Sequence, residues 1–201
     1  MKKNIVITGG LGYIGTELCK IYSGYSWNHQ ITVIDNRFVS ERVNQLRNWN
    51  INFVQGDILD KNLVLKYCEN ADIVHHLAGI TDVPRVKSES SDEQDKKIKV
   101  VAEIGTQNIL DAIQKNCKII MPSTHVVYEG IKEVKNDILE EEKTNPVLSY
   151  GTSKDINEKQ LKASGKNYII LRLGSVYGYS TDTARIDIMP NFFSKMASQD
   201  G

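Results

Sequence analysis

An apolar run, Asn4–Thr8, passes directly into Gly9-Gly10-Leu11-Gly12-Tyr13-Ile14-Gly15, and an amphipathic segment follows at once. Glycines so spaced confine this stretch to a strand, a tight turn and a helix. GxGxxG (Gly10, Gly12, Gly15) overlaps GxxGxxG (Gly9, Gly12, Gly15). Such glycines allow the turn, admit a pyrophosphate close to the backbone and let the helix pack tightly on its sheet. The helix N-terminus offers amide donors and a positive dipole end to the phosphates. Asp35 closes a second apolar run, twenty residues beyond Gly15. A carboxylate there accepts hydrogen bonds from an adenosine ribose and repels a 2′-phosphate, so the expected cofactor is NAD. Arg37, two residues on, keeps NADP as the minority alternative.

The same alternation continues down the chain. Apolar runs at Asn4–Thr8, Ile31–Asp35, Asn52–Gln55, Ile73–Leu77, Lys118–Pro122 and Tyr168–Leu173 suit strands covered on both faces. Helical patterns occupy 13–24, 40–48, 60–69, 91–116 and 148–164. Strand and helix in turn predict an α/β fold, a Rossmann-like doubly wound parallel sheet with helices on both faces. The charged run Glu89–Lys99 reads as the solvated opening of the long fourth helix, and 132–146 as a surface loop. The nucleotide-binding domain is expected over 1–178. Residues 179–201, with a further amphipathic helix at Ile186–Ala197, then begin a second, truncated lobe.

Lysine and arginine equal aspartate and glutamate at 25 each, so no charge surplus recommends nucleic acid or an anionic membrane. No apolar run is long enough to span a bilayer. Cys19, Cys68 and Cys117 form no CxxC pair and read as structural thiols of a reducing, cytoplasmic compartment. His75 and His76 are adjacent on a strand and point to opposite faces, so no metal site is expected.

Further segments carry a resemblance. Gly56-Asp57-Ile58, His76-Leu77-Ala78-Gly79, Gly105-Thr106-Gln107-Asn108-Ile109-Leu110, Pro122-Ser123-Thr124-His125-Val126-Val127-Tyr128, Pro146 through Tyr150-Gly151-Thr152-Ser153-Lys154, and Leu171-Arg172-Leu173-Gly174-Ser175-Val176-Tyr177-Gly178 follow one another in order. With the glycine turn and Val33-Ile34-Asp35-Asn36, this series resembles the extended short-chain dehydrogenase/reductases, especially their nucleotide-sugar epimerases and dehydratases. The resemblance implies that Gly9, Gly12, Tyr13, Ile14, Gly15, Asp35, Asn36, Asp57, Ile58, Leu77, Ala78 and Gly79 line the cofactor, together with Tyr150 and Lys154. Asp57 would meet the adenine edge.

Tyr150 and Lys154 are four apart at a helix start and share a face. A free tyrosine, with a pKa near 10, is a poor base at neutral pH, and a neighbouring ammonium favours its phenolate. The resemblance implies that Tyr150 takes the proton from a substrate hydroxyl as hydride leaves the same carbon. Lys154 would hold the nicotinamide ribose, and Thr124 would hydrogen-bond the substrate oxygen. His125, beside Thr124, is either a specificity residue or a plain loop residue.

Departures from the family pattern narrow the reaction. Sugar 4,6-dehydratases commonly carry Asp-Glu after the active-site threonine. His125 and Val126 stand there, which disfavours dehydration. Ala102 replaces a usual asparagine, and Ser175 replaces another that grips substrate. The leading expectation is an NAD-dependent nucleotide-sugar epimerase, with Thr124, His125 and Ser175 toward the sugar and a homodimer through the fourth and fifth helices. The alternatives are an NAD(P)-dependent dehydrogenase or reductase of a non-sugar alcohol or ketone, and a catalytically silent NAD-binding module.

Overall fold

The computed structural model describes residues 2–81, 91–180 and 188–199. Six parallel strands form one sheet: β1 (Asn4–Thr8), β2 (Gln30–Asp35), β3 (Asn52–Gln55), β4 (Ile73–His76), β5 (Lys118–Thr124) and β6 (Asn167–Leu173). Their spatial order is β3-β2-β1-β4-β5-β6. The order reverses between β1 and β4, and a crevice opens there beyond the strands' carboxyl ends.

Strand side chains alternate between two layers. Ile5, Ile7, Ile31 and Val33 face α1 (Tyr13–Ser23) and α2 (Ser40–Asn48), joining buried Cys19, Val43 and Leu46. Val6, Ile34, Val74, Ile119 and Met121 face the other way. They pack on α3 (Lys61–Cys68), α4 (Asp92–Ala112) and α5 (Ser149–Ala163) through Val64, Ile109, Leu110 and Leu161. Burial on both faces is why these strands read as unbroken apolar runs. At the β6 edge only one face is covered by described helices. Ile169 and Leu171, on the other, are 38% and 44% exposed.

Local chemistry sets the element ends. The Asp60 side chain caps α3 by accepting from the amides of Asn62 and Leu63, and Ser91 Oγ caps α4 by accepting from Gln94. Asp92, Glu93 and Asp95 then fill α4's first turn, where a helix N-terminus favours negative charge. Residues 89 and 90 of the expected charged opening lie outside the described residues. The pattern over 91–116 overshoots, because Ile113 turns to an extended backbone and the helix stops at Ala112. β5 runs two residues beyond its expected end and delivers Thr124 at its tip. The last helix, α6 (Met189–Gln199), carries Pro190 near its start, where a missing amide costs nothing. The expected start at Ile186 is not among the described residues.

Cys19, Cys68 and Cys117 are free and buried. Burial pushes their thiols up, to about 12 for Cys19 and Cys68 and about 11 for Cys117, which leaves them unreactive. No described helix is long and apolar enough to cross a membrane. Among the described residues no group of histidine, cysteine or carboxylate side chains could hold a metal.

Candidate functional site

The glycine turn sits where β1 meets α1. Gly9 has φ +71°, and a Cβ there would lie 2.7 Å from the backbone nitrogen of Ala78. Only a residue without a side chain lets the turn nest against the segment that leaves β4. A Cβ on Gly15 would stand 2.5 Å from the Gly9 carbonyl oxygen, so helix and turn are in direct contact. Gly12 caps α1 without any side-chain hydrogen bond. Among the described residues no side chain accepts from the first amides of α1, which are placed to meet a ligand. This cradle fits a pyrophosphate.

Thr8 and His76 hold the neighbouring wall. Thr8 Oγ1 accepts from the Ala78 amide at 3.2 Å and lies 3.0 Å from His76 Nδ1. On the other side of the ring, Nε2 lies 2.9 Å from Thr106 Oγ1 of α4. Burial, aided by the charge of Lys154, pushes His76 down to about 3, so the ring is neutral. His75 points to the opposite face as expected, its Nε2 2.8 Å from the Tyr22 hydroxyl, and burial pushes it down to about 4. Both are neutral core histidines.

A cleft of about 770 Å³ runs from this turn across the strand ends. It is lined by every residue expected to meet cofactor or substrate: the turn at Gly9, Gly12, Tyr13, Ile14 and Gly15; Asp35, Asn36, Asp57 and Ile58 at one end; Leu77, Ala78 and Gly79 in the middle; and Thr124, His125, Tyr150, Lys154 and Ser175 at the other. The Asp35 carboxylate accepts from the Leu11 amide through Oδ2 and from the Arg37 amide through Oδ1, both at 3.0 Å. Asp57 caps its own turn by accepting from the Leu59 amide at 2.9 Å, and the Asn36 side chain donates to its other oxygen at 3.1 Å. Buried Asn108 of α4 pins the same loop by donating to the carbonyls of Ile58 and Leu59.

At the far end, α5 presents Tyr150 and Lys154 on one face. Lys154 Nζ lies 6.0 Å from the Tyr150 ring centre and donates to the Pro122 carbonyl at 3.0 Å. Burial pushes this ammonium down to about 8. Thr124 is buried, and its Oγ1 accepts from the Val126 amide at 3.2 Å. His125 Nδ1 lies 3.2 Å from the Leu173 carbonyl. Since that carbonyl can only accept, Nδ1 carries the proton and Nε2 is left for other partners.

Three elements carrying this end are tied by a network that reasoning from the sequence missed. Glu158 of α5 is 1% exposed. It accepts from Ser123 Oγ of β5 at 2.6 Å and from Arg172 of β6 through two bonds. Burial works to raise the Glu158 carboxyl, yet the bonds from Arg172 and Ser123 outweigh it and hold it below the usual carboxylate range. One signal was available: Arg172 is a lone cation in an otherwise apolar strand, and such a group needs a buried anion.

The geometry agrees with comparisons to known proteins. The chain is 33% identical over 130 residues to the UDP-N-acetyl-alpha-D-glucosaminuronate decarboxylase of Bacillus cytotoxicus, covering 64% of this chain and 38% of that protein. It is 31% identical to the putative UDP-glucose 4-epimerase of Methanocaldococcus jannaschii, covering 96% of this chain and 62% of that one. The structure of a UDP-glucuronic acid 4-epimerase from Bacillus cereus in complex with NAD superposes with a TM-score of 0.77 at 25% identity, over 100% of this chain and 63% of that one. The chain thus spans roughly 38–62% of these relatives' lengths. A sequence profile of one enzyme family matches residues 5–200, nearly the whole chain, and this protein accordingly belongs to the NAD dependent epimerase/dehydratase family.

Proposed function

We propose that the cleft binds NAD along its length and a nucleotide-sugar at the Thr124–Tyr150 end, and that the protein is an epimerase. The observation that carries this is the convergence of Thr124 from β5 with Tyr150 and Lys154 from α5 on the cleft that begins at the glycine turn. NAD, when bound, supplies a reversible acceptor for the hydride of a sugar carbon. Lys154 stands near the Tyr150 ring with its charge shielded from water, so its field favours the phenolate. Tyr150 takes the hydroxyl proton at its phenolic oxygen and returns it after the keto sugar has turned over. Thr124 steadies the substrate oxygen by hydrogen bonding. His125 and Val126 supply no acid–base pair for eliminating water.

The α4–α5 face is also proposed as a homodimer contact, since Ile104 on α4 is 49% exposed. Sedimentation at micromolar concentration tests that separately.

The functional test incubates the protein with NAD and a panel of UDP-, dTDP- and GDP-sugars and follows the sugar stereocentres by NMR. An inverted sugar without net NADH, lost 100-fold or more in Tyr150→Phe while NAD still binds, is expected. Stoichiometric NADH with no inverted sugar would point to a dehydrogenase instead.

A further inference from the structure

Asp35, as a sequence feature, promises a bare carboxylate for the adenosine ribose. The folded chain presents something different. Arg37 turns back on it: besides its amide, Arg37 Nε donates to Asp35 Oδ1 at 3.3 Å. Oδ1 thus receives two donors from Arg37, and Oδ2 receives the Leu11 amide. A carboxylate has about four lone-pair sites, so three are taken and a ribose diol finds one.

The charge is altered as well. Both residues line the cleft, the Asp35 side chain 4% exposed and the Arg37 side chain 51%, so the carboxylate is nearly buried while the guanidinium stays open to solvent. Arg37 Nη2 reaches to 3.8 Å from where a Cβ on Gly12 would sit, beside the positive end of α1. The pair Asp35–Arg37 is neutral overall, and the guanidinium nitrogens that remain are a fork suited to phosphate.

We propose that this subsite is bispecific: it accepts an adenosine 2′-phosphate as well as a free 2′-hydroxyl, with Arg37 as the phosphate's counter-ion. NAD and NADP are then both ligands, Asp35 keeping a modest preference for the diol and Arg37 offsetting most of the repulsion that a lone carboxylate would exert. The inference rests on the reading of the cleft as a dinucleotide site.

Calorimetric titration of the protein with NAD, NADP, adenosine 5′-monophosphate and adenosine 2′-monophosphate tests it, with thermal melts confirming that each variant is folded. NADP is expected to bind within about tenfold of NAD. Arg37→Ala should weaken NADP and the 2′-monophosphate by about tenfold or more while moving NAD less than about threefold, and Arg37→Lys should restore part of the loss. A gap of more than about 100-fold against NADP, or an equal loss of both dinucleotides in Arg37→Ala, overturns the bispecific subsite while leaving the dinucleotide site standing. Folded protein that binds neither dinucleotide overturns both.

Discussion

Arg172 grips Glu158 as a fork, Nε to Oε1 at 2.9 Å and Nη2 to Oε2 at 2.6 Å, and so fastens β6 to the helix that carries Tyr150 and Lys154. The same guanidinium lies 5.1 Å from the Tyr128 ring centre and donates to the Glu140 carbonyl at 2.8 Å. One strand residue therefore organises helix α5, the turn after β5 and the loop beyond it.

Glu158→Gln leaves the largely covered guanidinium without its counter-charge and should cost roughly 2–4 kcal/mol of stability. Arg172→Lys keeps the charge but loses the fork, and should cost nearly as much. Urea unfolding of both variants measures this. A loss below about 0.5 kcal/mol in each would mean that the network does not hold α5 to the sheet.

Gly9→Ala places a methyl group within 2.7 Å of the Ala78 backbone nitrogen at a φ of +71°. The expected destabilisation is roughly 2–3 kcal/mol, with loss of dinucleotide binding, because the turn must move away from β4. Thermal melts and calorimetry read the two effects separately. Unchanged nucleotide affinity would show that the turn does not set the phosphate seat.

Lys154 makes stability rise with alkaline pH. Its folded value of about 8 lies below the ordinary 10.5, so between those values the unfolded chain holds a proton that the folded chain has released. Below about 8 both states are charged and the full burial penalty applies. Lys154→Met should accordingly be more stable than wild type at pH 7 by about 1–3 kcal/mol, with the gap closing as pH approaches 10.5. Comparing the two proteins cancels the opposite trend from the buried cysteines. A gap that does not change with pH would show that Lys154 is solvated.

The two core histidines act at the acid end. Burial lowers His75 to about 4 and His76 to about 3. An unfolded chain takes up protons near 6.5 that these rings refuse, so their contribution is intact above about 6.5 and is lost as pH falls through that value toward 4 and 3. In His76→Gln the fall in stability over this window should be shallower, whatever its effect at pH 7. Parallel slopes for wild type and variant in pH-dependent denaturation would contradict neutral burial.

The strand and helix pattern was legible because it depends on near neighbours: apolar runs bury themselves on both faces, and Gly9, Gly12 and Gly15 permit one turn. That Tyr150 and Lys154 share a helix face was legible for the same reason, since they are one helical turn apart, while the roles expected of them came from the motif resemblance. Helix ends were read less well, since Ile113 leaves the helix although the apolar pattern continues. Glu158 went unnoticed because a glutamate at a helical position ordinarily faces water. Only its approach to Ser123 and Arg172, 35 and 14 residues away, shows it to be buried.

The parallel sheet follows from the order of amino acids alone, because short-range geometry and alternating burial leave few other folds open, and the family and the residues lining the cleft follow from the resemblance that its motifs carry. Electrostatic detail was settled by tertiary structure. Whether Asp35 stands bare or is paired with Arg37, whether Lys154 is shielded, and whether His76 is neutral depend on how much water and which charges surround each group, and those surroundings exist only once the chain has packed together.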